Sequence, residues 1–128
     1  MIVVGTKAFG RIDYLLDSAG SAGRRSSFID QAYALNVDSV FYTMQSLLPH
    51  IIDNGYGVIA NTASMAHRRG GPQHSVHYAS AKGAVVTLTM GVGRKFVNPG
   101  IRALSVSPGP LIQNSNPYLR PNLKTNDQ

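Results

Sequence analysis

Tyr78 and Lys82 stand four residues apart in the run Tyr78-Ala79-Ser80-Ala81-Lys82. The segment around them reads as helix, and at that spacing two side chains share one helical face. A free phenol has a pKa near ~10, and a fixed positive charge close by favours its ionised form. A phenol and an ammonium so placed can pass a proton to and from a substrate near neutral pH, which is what general acid–base chemistry requires. The same spacing also arises on many helices that do no chemistry, so the pair takes its meaning from what surrounds it.

Three further short stretches belong to the same picture, and the elements that would position them follow from hydrophobic patterning. Residues 1–10 fit either the end of a helix or a strand, with Gly5 and Gly10 weakening both. Ile12 to Asp17 reads as a strand mostly buried on both faces, closed by Ser18-Ala19-Gly20. A polar loop runs on to about Ser27. From about Ile29 to Ile52, Leu35, Val37, Val40, Phe41, Met44, Leu47 and Leu48 recur at three- and four-residue intervals and predict a long helix containing Asn36. Pro49 is expected to kink or end it. Asp53 to Gly57 is a turn before the strand Val58 to Ala63, with Ser64 at its C-terminal end. Met65 to about Val76 shows no periodicity and reads as an exposed loop. A second helix, about His77 to Val97, stops at Asn98-Pro99-Gly100 and precedes a third strand, Ile101 to Ser107.

Strand, helix, strand, helix, strand implies an α/β fold: a three-stranded parallel sheet with two long helices over residues 1–113. The polar segment 114–128 is expected to be a tail. Ser18 to Gly20, Ser64 and Pro108-Gly109 all follow strand C-termini, the edge where open α/β sheets bind ligands. Right-handed crossovers advancing one way place both helices on one face, leaving the other bare and the first strand with a free edge.

Composition narrows the function classes. The 128 residues are enough for one domain that buries roughly two-thirds of its unfolded surface. With 43% hydrophobic and 14% charged residues, and no apolar run of ~18 residues, the chain reads as globular rather than membrane-spanning. The opening Met1 to Val4 run is too short for a signal-peptide core, so a cytoplasmic location is expected. The absence of cysteine excludes disulfides and thiol chemistry. The net charge of +6 falls in scattered pairs such as Arg24-Arg25 and Arg68-Arg69 without an aromatic platform, which favours a solvated surface or an anionic cofactor over nucleic acid. His67, His74 and His77 have poor metal spacing, and no metal is expected.

From about Phe9 to Leu111 the sequence resembles the short-chain dehydrogenase/reductase family. The resemblance rests on an ordered set: Phe9-Gly10-Arg11-Ile12-Asp13, Asp17-Ser18-Ala19-Gly20 in place of Asn-Asn-Ala-Gly, Asn36, Ser64, the Tyr78 and Lys82 pair, and Pro108-Gly109. It implies a partial Rossmann-type doubly wound fold over residues 1–113, and an oxidoreductase that moves a hydride between NAD or NADP and a small alcohol or carbonyl and forms a homo-oligomer through its two long helices. It further implies that Tyr78 is the acid/base, and that Lys82 supports its ionisation and holds the nicotinamide ribose. Ser64 would bond the substrate oxygen, and Asn36 would hold a water for proton relay. Ser18, Ala19 and Gly20 would face the cofactor, with Pro108, Gly109 and Leu111 flanking the nicotinamide. Read from residue type alone, Ser64 fits a helix cap or turn residue, and Asn36 a mid-helix asparagine bonded to nearby backbone, each better than a catalytic role; only their joint occurrence promotes them.

The sequence also departs from the family pattern. No Thr-Gly-x-x-x-Gly-x-Gly loop precedes the first strand, Asp17 replaces an asparagine, Leu104 stands at another asparagine position, and Gln113 replaces a threonine. The expectation is the catalytic half of a longer enzyme or a truncated relative that depends on association. The alternative is a non-catalytic fragment or pseudoenzyme that works only by associating with other chains.

Overall fold

The computed structural model describes residues 2–21, 29–71 and 75–109. Its elements in order are helix α1 (Ile2–Phe9), strand β1 (Tyr14–Asp17), helix α2 (Ile29–Tyr33), a π-helical turn (Ala34–Asp38), helix α3 (Ser39–Asp53), strand β2 (Gly57–Thr62), short helix α4 (Ala66–Arg69), helix α5 (Val76–Lys95) and strand β3 (Ile101–Val106). The strands form one parallel sheet in the order β1-β2-β3. The fold is thus the expected partial Rossmann-type α/β arrangement. The first long helix is α2, the π-turn and α3 run together, and the second is α5. No helix among the described residues is long and apolar enough to cross a membrane.

Successive strand residues point to opposite faces, so the register sorts every side chain. Leu15, Ile59 and Ala103 lie in one row, with Asp17, Asn61 and Ser105 in the row nearer the C-terminal edge. This inner face packs against the helices: Val40, Met44, Leu47 and Ile51 of α3 and Val85 of α5 are buried with Ile59 and Ile101. The outer face carries Tyr14, Val58 and Arg102 in one row and Leu16, Ala60 and Leu104 in the next. Tyr14 and Leu16 are 69% and 73% exposed there, and Leu104 and Val106 about half. The bare face inferred from chain connectivity is therefore present among the described residues.

Four expectations are corrected. The first strand is not buried on both faces. A short apolar run is compatible with a two-sided strand, but it cannot say whether anything covers the second side. Pro49 neither ends nor breaks its helix, because α3 continues to Asp53. Pro49 sits on the exposed side and removes one ladder bond, while Ile51 beyond it is fully buried and anchors the last turn. The segment after Ser64 is not wholly loop, since α4 forms one turn there. Leu35 and Phe41, placed on the buried face of the first long helix, are nearly half exposed. The opening segment, left open between helix end and strand, forms helix over Ile2–Phe9, and the expected tail 114–128 lies outside the described residues.

Candidate active site

The site lies at the C-terminal edge of the sheet and is built around Lys82. Its side chain, on the inner face of α5, is buried, and its Nζ donates to the carbonyls of Thr62 at 2.8 Å and Ala19 at 3.2 Å. One acceptor comes from the end of β2, the other from the turn after β1. An ammonium has three N–H donors, and two of them are taken by these carbonyls among the described residues. Burial pushes the Lys82 ammonium below the usual lysine range, and the Asp17 carboxylate works against that shift. Tyr78 lies one turn earlier and half-buried, with its ring centroid 5.9 Å from Nζ, the separation at which a cation interacts with an aromatic face.

The turn after β1 is shaped by Asp17 and Gly20. Asp17 is buried, and its Oδ1 accepts the Ala19 N–H at 2.9 Å. This is the hydrogen bond by which an aspartate closes a turn on its own backbone. Gly20 has φ of +146°, and a Cβ there would meet Asn36 Oδ1 at 2.5 Å and Lys82 Nζ at 2.6 Å. Only a glycine lets the lysine and the asparagine close on this turn together. Ser18 and Ala19 belong to the same turn, with Ser18 exposed.

Asn36 is fully buried at the centre of the π-turn. Its Nδ2 donates to Ala32 O at 2.8 Å and Ser21 O at 3.1 Å, and its Oδ1 accepts from Ser21 N at 3.2 Å. The amide therefore clasps the backbone just past Gly20 from both sides. Single π-turns within α-helices cluster at functional sites, and here the wider turn carries the residue that meets Lys82 and Gly20. Nothing in the sequence marks the turn beyond an asparagine inside an apolar helix, whose side chain competes for backbone partners.

Ser64 follows β2. Its Oγ accepts from Ala66 N at 3.2 Å, its carbonyl accepts from His67 N at 3.2 Å, and the His67 ring closes on the same carbonyl. These are the bonds of a turn residue just ahead of the short helix α4, whose N-cap is Met65 with no side-chain cap bond. They leave the hydroxyl proton to donate elsewhere. Met65 N donates to Pro108 O at 3.0 Å, so the loop after β3 lies beside the Ser64 segment. A Cβ at Gly109 would meet only Met65 Cγ, at 4.0 Å, so this position is open. Leu111 and His74 lie outside the described residues.

The structure thus joins Ala19, Gly20, Asn36, Tyr78 and Lys82 into one constellation and sets Ser64, Pro108 and Gly109 along the same edge. Three residues outside the expected set support it. Thr62 supplies a carbonyl to Lys82. Asn61, buried beside it in β2, donates to Thr89 Oγ1 of α5 at 2.9 Å and contacts Met44 Sδ of α3 at 3.3 Å. Thr89 is seven residues past Lys82, two turns along the same helical face, so α5 is held to β2 at two polar points. A polar residue at an inward position of a central strand was the available signal for Asn61.

A parallel α/β sheet with a tyrosine–lysine helix crossing its C-terminal edge defines the class, and comparison with known proteins gives the family. The family model described as short chain dehydrogenase matches residues 3–123, and the chain belongs to that family. It is 35% identical to the 2-(R)-hydroxypropyl-CoM dehydrogenase of Xanthobacter autotrophicus over 84% of this chain and 46% of that protein. It is 33% identical to the levodione reductase of Leifsonia aquatica over 94% of this chain and 49% of that one. Among solved structures, NAD+-bound xylitol dehydrogenase superposes with a TM-score of 0.78 at 30% identity, over 84% of this chain and 44% of that chain. ElxO with NADP bound gives 0.76 at 29% identity, covering 84% and 46%. The chain therefore spans a little under half the length of these relatives.

Proposed function

We propose that this chain carries the proton-transfer half of an NAD(P)-dependent oxidoreductase acting on a small alcohol or carbonyl. The observation that carries the reading is the buried Lys82 ammonium, held by two backbone carbonyls with the Tyr78 ring 5.9 Å away and one N–H unspent among the described residues. The residues present suit the ribose end of a nicotinamide cofactor. A donor stands ready at Lys82, and Gly20 and Gly109 leave backbone uncovered by side chains. Pyrophosphate binding finds no counterpart, because the 128 residues contain no Thr-Gly-x-x-x-Gly-x-Gly loop. A nicotinamide, when bound, supplies the hydride acceptor or donor. The two solved relatives hold NAD+ in one case and NADP in the other, and both remain admissible here.

In the oxidation direction Tyr78 takes the proton of the substrate hydroxyl as the carbon gives up its hydride. In reduction the phenol returns it. The Lys82 charge favours the negative oxygen that forms on Tyr78, and its third N–H binds the ribose. Ser64 orients the substrate through its free hydroxyl proton, and Asn36 holds the relay water. Ser18, Ala19, Pro108 and Gly109 would line the cofactor side. Homo-oligomerisation through the long helices is supported by an apolar groove of about 410 Å³ between α3 and α5, lined by Phe41, Met44, Leu48, Leu88, Val92 and Phe96.

Titration with NADH and NADPH, followed by nucleotide fluorescence, tests this. Binding is expected, with turnover lost by about 10²–10⁴-fold in Tyr78→Phe at nearly unchanged nucleotide affinity. Full turnover in Tyr78→Phe removes Tyr78 from its role. The exposed outer face of the sheet, with Leu16 and Leu104 uncovered, favours a second reading in which the chain functions by association. Failure of both nucleotides to bind at millimolar concentration would select it.

A further inference from the structure

Asp17 has no place in the chemistry above, yet it is a buried carboxylate beside the site's buried ammonium. Three observations converge on it. It is the last residue of β1, on the inner face, paired in register with Asn61, the residue that seats α5 on the sheet. Its Oδ1 takes the Ala19 N–H at 2.9 Å, and the carbonyl of the same residue takes Lys82 Nζ at 3.2 Å. It is 8% exposed and Lys82 2%, so water screens little between them.

We propose that Asp17 is the positioning residue and counter-charge of Lys82. Through the Ala19 N–H it shapes the turn that brings a carbonyl to Nζ, and through its own charge it offsets the cation where water is excluded. A buried cation without an opposite charge is costly, and backbone carbonyls carry only partial charge. The other groups facing Lys82 are neutral: the Thr62 carbonyl from β2, the Asn36 amide from the π-turn, and the Tyr78 ring from its own helix. Asp17 is the one carboxylate among the described residues that accepts from the turn whose carbonyl holds Lys82. The inference rests on the function proposed above for its place in a reaction, but this hydrogen-bonded link belongs to the ligand-free chain and its effect on Lys82 is measurable there.

The experiment is a pH titration of the ligand-free full chain carrying 13Cε-labelled lysine, followed by NMR. The chain has four lysines, and the Lys82 signal is the one missing from Lys82→Met. Asp17→Asn keeps an oxygen for the Ala19 N–H and removes only the charge, so the Lys82 midpoint should move to lower pH than in the unsubstituted protein. A midpoint that does not move overturns the proposal. If Asp17→Asn fails to fold, the acid limb of the unsubstituted protein decides. The Lys82 13Cε signal should shift as Asp17 takes up its proton, and a flat limb overturns the pairing. Nucleotide titration of the unsubstituted protein reports separately on the proposed function. A chain that binds no nucleotide but shows the Lys82 shift refutes the function and leaves the pairing standing.

Discussion

Gly20→Ala is the smallest change that should dismantle the site. The added methyl carbon would stand 2.5 Å from Asn36 Oδ1 and 2.6 Å from Lys82 Nζ, both well inside van der Waals contact. Relief requires the turn to move, Lys82 to withdraw, or Asn36 to release Ser21. Backbone held at a positive φ that L side chains avoid costs about 1–3 kcal/mol. Withdrawing Nζ from the Ala19 carbonyl gives up a charge-assisted hydrogen bond of about 1.5–3 kcal/mol. Since relaxation recovers part of each, the expected loss is about 2–4 kcal/mol, a large share of a domain's usual stability of about 5–15 kcal/mol. Urea unfolding followed by far-UV circular dichroism measures this as a lower midpoint at unchanged slope. A loss below about 1 kcal/mol, with the Lys82 NMR titration unaltered, would refute the argument, because Gly20 would then not be packed between these two side chains.

Lys82→Met should change how stability depends on pH. The folded-state pKa of Lys82 lies below its ordinary value of 10.5, so between the two the unfolded chain binds more protons and stability rises with pH. Below the folded pKa the cost of burying the cation is fully present. The difference between unsubstituted protein and Lys82→Met, from urea midpoints across the alkaline range, should therefore shift in favour of lysine as pH approaches 10.5, and a pH-independent difference would contradict it. Thr89→Val takes the oxygen acceptor from Asn61 Nδ2, whose amide oxygen has no hydrogen-bond partner among the described residues. The expected cost is about 1–3 kcal/mol, and an unchanged urea midpoint would show that the contact does not hold α5. Leu16→Lys together with Leu104→Lys places charge in one row of the outer face, on either side of Ala60. Stability should stay within about 0.5 kcal/mol per site while bis-ANS binding falls, whereas a loss of several kcal/mol would mean that the face is packed.

The chemistry was legible where it depends on spacing along one element. Tyr78 and Lys82 share a helical face because residues four apart always do, and the apolar run of β2 between a turn and Ser64 marked a strand. Ser64 and the Ser18–Gly20 turn could be placed at strand ends for the same reason. What could not be read was local structure without a periodic signature. Ala66 to Arg69 is one turn of helix entered from the Ser64 turn, too short and too polar to show a period. The π-turn around Asn36 keeps the helix continuous, so apolar residues on either side look like one stripe. Pro49 looked like a stop because its missing N–H is visible in the sequence, while the burial of Ile51 that carries the helix past it is not.

By itself the sequence determined the α/β class, the parallel order of three strands, the tyrosine–lysine helix and the family. All of these follow from periodicity or from motifs in order along the chain. Only the tertiary structure decided the surroundings of Lys82. Its two carbonyl acceptors lie 63 and 20 residues away, on Ala19 and Thr62, and Asp17, Gly20 and Asn36 reach it from the end of another strand and from another helix. A buried charge is defined by what replaces water around it, and those replacements come together only when α5 crosses the end of the sheet.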